Sequence, residues 1–271
     1  MRRCRYAIAV LTLALAGCHP PRLSLTPTPQ PVAIHLLSTD STAPLVRDLA
    51  AGYQQDHPAM RFVFRLSASN YENLIATVSN PTPDGPLFGV TNYLPLESSL
   101  WAAPIAQDPI AVVVHPSNPL TELALAQLQA IYQGRIVDWA ALGQGTGPIT
   151  VVSREDGSDV RLAFQALALG DRRVTLNARL APSSQAVIEI VGQERGAIGY
   201  LSLGLVDATV RPLAIEGHLP APGPPTAYPF RTPVFVVGSQ EPQGVYRAFI
   251  AWMQSPAGQA VVARRYQTLP Q

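Results

Sequence analysis

The chain has 271 residues, of which 47% are hydrophobic and 14% charged, with 27 Pro and 19 Gly. It is too apolar and too weakly charged to be disordered, lacks the three-residue Gly period of collagen, and is long enough to bury the core of one large domain or two small ones. All 19 basic residues are Arg, set against 18 Asp plus Glu, so the formal charge is +1 and no polybasic surface for nucleic acid is expected.

At the N-terminus Arg2, Arg3 and Arg5 precede an apolar run, residues 7–16, that is too short to span a bilayer as a permanent helix. The run ends in Leu15-Ala16-Gly17-Cys18. This ending resembles the lipobox of bacterial lipoproteins, which implies a signal peptide over residues 1–17 and a lipidated Cys18 as membrane anchor. Cys4 and Cys18 are the only cysteines, so the rest of the chain holds no disulfide and no thiolate metal site. Removing residues 1–17 takes away three Arg and leaves sixteen bases against eighteen acids, a net charge of −2. Residues 18–31 read as a tether, because five Pro within residues 19–31 keep the chain extended. At ~3.1 Å per residue such a segment reaches roughly 40 Å.

Beyond the tether, strand and helix patterns alternate. Residues 32–37 are a short apolar run, and residues 43–55 carry Leu45, Val46, Leu49, Ala50 and Tyr53 at helical spacing. Residues 61–66 alternate as a strand, and Tyr71, Leu74, Ile75 and Val78 share one helical face. Strands are expected at 87–91, 110–115, 149–153, 197–201 and 234–238, and helices at 123–132, 160–169 and 185–191. Val245, Tyr246, Phe249, Ile250 and Met253 mark one further helix, and Ser255-Pro256 opens the last. This alternation predicts an α/β fold with mostly parallel sheets. A Pro-rich stretch at 218–229 reads as a stiff connection between two lobes.

Hydroxyl and amide residues cluster at three expected strand-to-helix junctions: Ser38 to Thr42, Ser67 to Asn70, and Arg154 to Ser158. For any one junction, helix capping is the simpler explanation. Three together, one with an Arg and a Gly, suit an oxyanion, which needs converging N–H and O–H donors and a bidentate guanidinium. In open α/β sheets such junctions lie where ligands bind. The five His show no ligand spacing, and no P-loop, dinucleotide fingerprint or nucleophile elbow occurs, so no metal, cofactor or catalytic residue is expected. Trp101, Trp139 and Trp252 read as packing residues.

Residues 105–119 (IAQDPIAVVVHPSNP), 128–139 (LQAIYQGRIVDW), 149–164 (ITVVSREDGSDVRLAF) and 196–203 (GAIGYLSL) resemble successive blocks of bacterial phosphate ABC-transporter substrate-binding proteins. The resemblance extends over residues 32–265 in the family's order. It implies a two-lobed periplasmic-binding-protein-like fold of type II, with the ligand cleft between lobes. Lobe 1 is expected over 32–107 plus 230–271, and lobe 2 over 108–229. Against the family's R-x-x-G-S-G-T loop, Arg154, Gly157 and Ser158 match, while Asp159 and Val160 replace Gly and Thr. Thr39 and Ser41 keep hydroxyls in the first-helix loop, where Asp40 stands at a place commonly hydroxylated. Ser67 or Ser69 matches the second-helix serine, and Asn92 replaces an acidic residue.

The resemblance implies a tethered, extracytoplasmic, monomeric receptor that captures inorganic phosphate for an ABC-transporter permease, with no enzymatic activity and no cofactor. A divergent binder or sensor of another oxyanion or small ligand is the alternative, and an exported serine hydrolase is disfavoured by the absence of a general-base motif. The ligand-binding set implied is Thr39, Asp40, Ser41, Ser67, Ser69, Asn92, Arg154, Gly157, Ser158 and Asp159. The two carboxylates admit two readings. Asp159 or Asp40 accepts the proton of hydrogen phosphate, or both cap helices and face solvent.

Overall fold

The computed structural model describes residues 32–58, 62–64, 68–80, 87–143 and 145–270. The expected signal peptide, Cys18, the tether and Ser67 lie outside these residues. In chain order the elements begin β1 (Val32–Ile34), β2 (Leu36–Thr39), α1 (Ala43–Asp56), β3 (Phe62–Phe64), β4 (Ala68–Ser69), α2 (Tyr71–Ser79), β5 (Phe88–Thr91) and β6 (Trp101–Val114). They continue with β7 (Glu122–Leu123), α3 (Leu125–Tyr132), β8 (Thr150–Arg154), α4 (Asp159–Phe164), β9 (Arg179–Ala181), α5 (Ser184–Gln193) and β10 (Ala197–Ser202). The last are β11 (Arg211–Pro212), β12 (Ala214–Ile215), β13 (Arg231–Gly238), α6 (Gly244–Gln254) and α7 (Pro256–Val262). None of the described helices is long and apolar enough to cross a membrane.

One sheet organises the molecule, in the order β4-β2-β5-β13-β6-β10-β8-β9, with β11 also paired to β6. The β4-β2-β5 and β10-β8-β9 pairings are parallel, whereas β13 and β6 run antiparallel to their neighbours. β6 changes partner along its length. Residues 101–109 pair with β13, and residues 110–114 pair with β10.

The long strand serves two lobes, each a sheet covered by helices. In the first lobe α1, α6 and α7 bury Leu45, Leu49, Phe249 and Val262 against Val90, Ile105 and Val236. On the other face α2 sets Leu74 and Val78 against Val237. In the second lobe the pleat sends alternate residues of β6 to opposite sides. Ile110, Val112 and Val114 meet Leu128, Val160 and Phe164, while Ala111 and Val113 meet Val187 and Val191. Strands covered on both faces read as continuous apolar runs, which is why β10 is buried at every position. The fold is two-lobed α/β.

Several expected elements shift. The strand expected at 110–115 begins at Trp101, because β13 pairs with its first half, where Pro104, Asp108 and Pro109 interrupt the apolar alternation. The helix expected at 160–169 is α4 followed by a wider π turn over Gln165–Leu169. The Pro-rich stretch 218–229 is tied at its middle and near its end. The Tyr228 hydroxyl donates to the Ile110 carbonyl at 2.8 Å, and Gly223 N donates to the Tyr266 carbonyl at 2.9 Å.

Candidate functional site

The loop between β2 and α1 carries the first set of donors. Thr42 occupies the N-cap position of α1 but makes no side-chain cap, since its hydroxyl donates to the Val90 carbonyl at 2.8 Å. Thr39 and Ser41 lie beside it, both buried, with Oγ atoms 2.8 Å apart. Both donate to a single oxygen across the cleft. Thr39 Oγ1 lies 2.5 Å and Ser41 Oγ 2.7 Å from Asp159 Oδ2. The Asn92 N–H reaches the same oxygen at 3.5 Å, and Val160 N donates to Asp159 Oδ1 at 2.8 Å. An anionic oxygen therefore sits among converging donors, and it belongs to the protein.

Capping explains the other two junctions. Asn70 Oδ1 accepts from Asn73 N at 2.9 Å at the start of α2, and Ser158 Oγ accepts from Arg161 N at 3.3 Å at the start of α4. The Gly157 carbonyl accepts from Tyr71 N at 2.9 Å across the cleft. Ser69 pairs through its backbone with Thr39. Asn92 turns its side chain away from Asp159, donating Nδ2 to Asp108 Oδ2 at 3.0 Å.

Arg154 ends β8 and is buried, yet none of its N–H groups is free. Nη1 donates to Asp40 Oδ2 at 3.0 Å and to Ser184 Oγ at 2.8 Å, Nη2 to Glu155 Oε1 at 2.8 Å and Asp40 Oδ1 at 3.4 Å, and Nε to Glu155 Oε2 at 2.9 Å. Those are all five donors of a guanidinium. Asp40 Oδ2 also accepts from Ser184 N at 2.8 Å, the entry to α5. Burial works against the Arg154 cation, but Glu155 and Asp40 more than offset it, so its pKa lies above the usual value. Beside this pair is a cavity of about 230 Å³ lined by Asp40, Asn70, Tyr71, Glu155, Ser158 and Ser183, among others.

Asp159 therefore does not face solvent as a helix cap, and Asp40, partly exposed, reaches across to Arg154 and the start of α5 rather than to its own helix. Asp159 is fully buried, and burial pushes its pKa up. The Thr39 and Ser41 hydroxyls pull it back, and the Asp40 charge pushes it further up. At the partner switch of β6, Asp108 is buried and accepts from Ser202 Oγ at 2.9 Å as well as from Asn92. Burial raises its pKa to about 7 against those two hydrogen bonds, with the Asp159 charge adding to the rise.

The structure brings Thr39, Asp40, Ser41, Asn92, Arg154, Gly157, Ser158 and Asp159 to one cleft. Sequence reasoning passed over Glu155, Ser184 and Asp108. Ser183-Ser184 is a fourth hydroxyl junction, between β9 and α5, and carries the same signal as the other three. Asp108 gives no local signal, because only the long-range pairing of β6 buries it.

A family profile described as a PBP superfamily domain matches residues 25–257. Phosphate-binding protein PstS of Bacillus subtilis is 34% identical over 112 residues, 41% of this chain and 37% of that protein. Phosphate-binding protein PstS 2 of Streptococcus pneumoniae is 32% identical over 133 residues, 45% of this chain and 46% of that protein. The matched segments thus span less than half the length of these curated relatives. Among solved structures, a phosphate ABC-transporter-type substrate-binding protein of Clostridium perfringens, with bound phosphate, superposes with a TM-score of 0.76 at 27% identity, covering 89% of this chain and 100% of that one. An ABC-type phosphate transport receptor from Vibrio cholerae gives a TM-score of 0.67 at 25% identity over 88% of this chain and 100% of that chain.

Proposed function

The chain belongs to the PBP superfamily, and from that membership we propose that it is a receptor that binds inorganic phosphate and delivers it to an ABC-transporter permease. The observation that carries this reading is the convergence of Thr39 Oγ1, Ser41 Oγ and the Asn92 N–H on one anionic oxygen, beside a buried Arg154. Preorganised O–H and N–H donors around a buried anionic oxygen are what an oxyanion requires. The likeness to a phosphate-bound substrate-binding protein over its full length supports the same ligand class. In this reading the function is capture and lobe closure, with no bond made or broken.

The proposal includes lobe 1 over residues 32–107 plus 230–271, lobe 2 over 108–229, a monomeric receptor and an extracytoplasmic location through a lipid on Cys18. Thr39, Ser41, Asn92 and Arg154 supply ligand donors, with Ser69, Gly157 and Ser158 shaping the loops around them. One observation favours a second reading, a ligand of lower charge than the phosphate dianion. Asp40 and Glu155 already neutralise Arg154, the described guanidinium closest to the Thr39 and Ser41 donors. Calorimetry of phosphate-depleted protein with phosphate, sulfate and a monoanionic phosphate ester separates the two. Saturable 1:1 binding of phosphate supports the first reading, and binding of the ester alone supports the second.

A further inference from the structure

Each lobe sends a carboxylate into the other lobe's donors. Asp40 belongs to the loop before α1, in the first lobe, and accepts from Arg154 and from Ser184 N in the second. Asp159 begins α4, in the second lobe, and accepts from Thr39 and Ser41 in the first. Both are charge-bearing acceptors placed where a bound oxyanion would place its own oxygens. Two hydroxyls, both Nη atoms of Arg154 and two backbone N–H groups of the cleft are satisfied in this way, and the neutral Tyr71 N to Gly157 O bond bridges the cleft alongside.

We propose that Asp40 and Asp159 form a reciprocal pair of built-in anions that holds the cleft closed without ligand, so that an external oxyanion binds only by displacing Asp159 from Thr39 and Ser41 and Asp40 from Arg154. The inference rests on the oxyanion-receptor reading for its second half, while its first half, closure without ligand, stands on the cross-lobe bonds alone. A ligand entering against a self-closed state has its apparent affinity lowered by the population of that state. Closure favoured by only about tenfold, ~1.4 kcal/mol, weakens phosphate binding by the same factor. Displacement also leaves Asp159 facing the incoming anion, which adds like-charge repulsion.

The test compares wild type with Asp40→Ala/Asp159→Gly, using phosphate-depleted protein, small-angle X-ray scattering for lobe separation and calorimetry for inorganic phosphate. The expected result is a wild type equally compact with and without phosphate. The double variant should be expanded without phosphate, compact with it, and should bind phosphate more than about tenfold tighter than wild type. Asp159→Asn, which keeps the side-chain volume but has one acceptor oxygen, should be intermediate and serves if the double variant does not fold by circular dichroism. A wild type that is expanded without phosphate and closes on it overturns the inference and upholds the receptor reading. A double variant as compact as wild type without phosphate also overturns it. If the variant opens but neither protein binds phosphate, closure by the paired carboxylates stands and the phosphate reading fails.

Discussion

Replacing Asp108 by Asn should stabilise the protein at neutral pH and leave it nearly unchanged in acid. Asp108 is completely buried and its pKa is raised from 3.8 to about 7, chiefly by burial. A carboxyl with a raised pKa holds its proton more tightly folded than unfolded. Its favourable contribution is therefore complete below about pH 4, declines as the pH rises, and is lost above about pH 7. Roughly three pKa units at 1.36 kcal/mol each make this about 4 kcal/mol. Asn carries no charge to bury. Its carbonyl can accept from Asn92 or Ser202, and its amide can donate to Asn92 Oδ1, which is buried without a hydrogen-bond partner. Thermal melts of both proteins from pH 4 to pH 8 would show the variant pulling ahead with pH. The gap should reach about 10 °C at pH 7.5, taking 2–4 °C per kcal/mol for a domain of this size. A gap that stays constant across the pH range would refute the argument.

Arg154→Ala should weaken oxyanion binding by well over tenfold, read by calorimetry, consistent with about 2–5 kcal/mol for a cleft charge pair. It should also lower the melting temperature, by about 1–3 kcal/mol of stability, because Asp40 and Glu155 lose their shared partner. Gly204→Ala should destabilise by about 1–3 kcal/mol in chemical denaturation, since a Cβ there would lie 2.3 Å from the Tyr266 ring. It should weaken phosphate binding too, because the Tyr266 hydroxyl donates to the Ser41 carbonyl at 2.9 Å. Cys18→Ala should move the protein from the membrane to the soluble fraction or block its processing, as scored by fractionation and immunoblotting.

Local periodicity placed most helices within a residue or two, as for α1, where Leu45, Val46, Leu49 and Tyr53 are all buried. It failed where tertiary pairing outweighed local pattern, as along the first half of β6, whose Pro104 and Asp108 look like strand breakers until β13 is set beside them. At the cleft, the hydroxyls of residues 39–42 were legible as a group, and so was the conflict posed by Asp40 and Asp159. The resolution of that conflict was not legible. Whether a carboxylate caps its own helix or reaches across to another lobe depends on contacts spanning 114 to 144 residues, which no spacing rule encodes.

The threading of the long strand also dictates an order of folding. The second lobe is assembled from one contiguous stretch between β6 and Phe230, so it can collapse as soon as that stretch is available. The first lobe cannot. β5 finds its antiparallel neighbour only in β13, which pairs Phe88 with Gly238, and α1 packs on α6 and α7 at the far end of the chain. Closing loops of that length costs entropy before any contact repays it, which places such pairings late and makes them slow. The loop at residues 39–42 thus precedes the whole second lobe in the chain yet is among the last segments to acquire its neighbours. In pulse-labelling hydrogen exchange during refolding, the amides of β10 should be protected before those of β2.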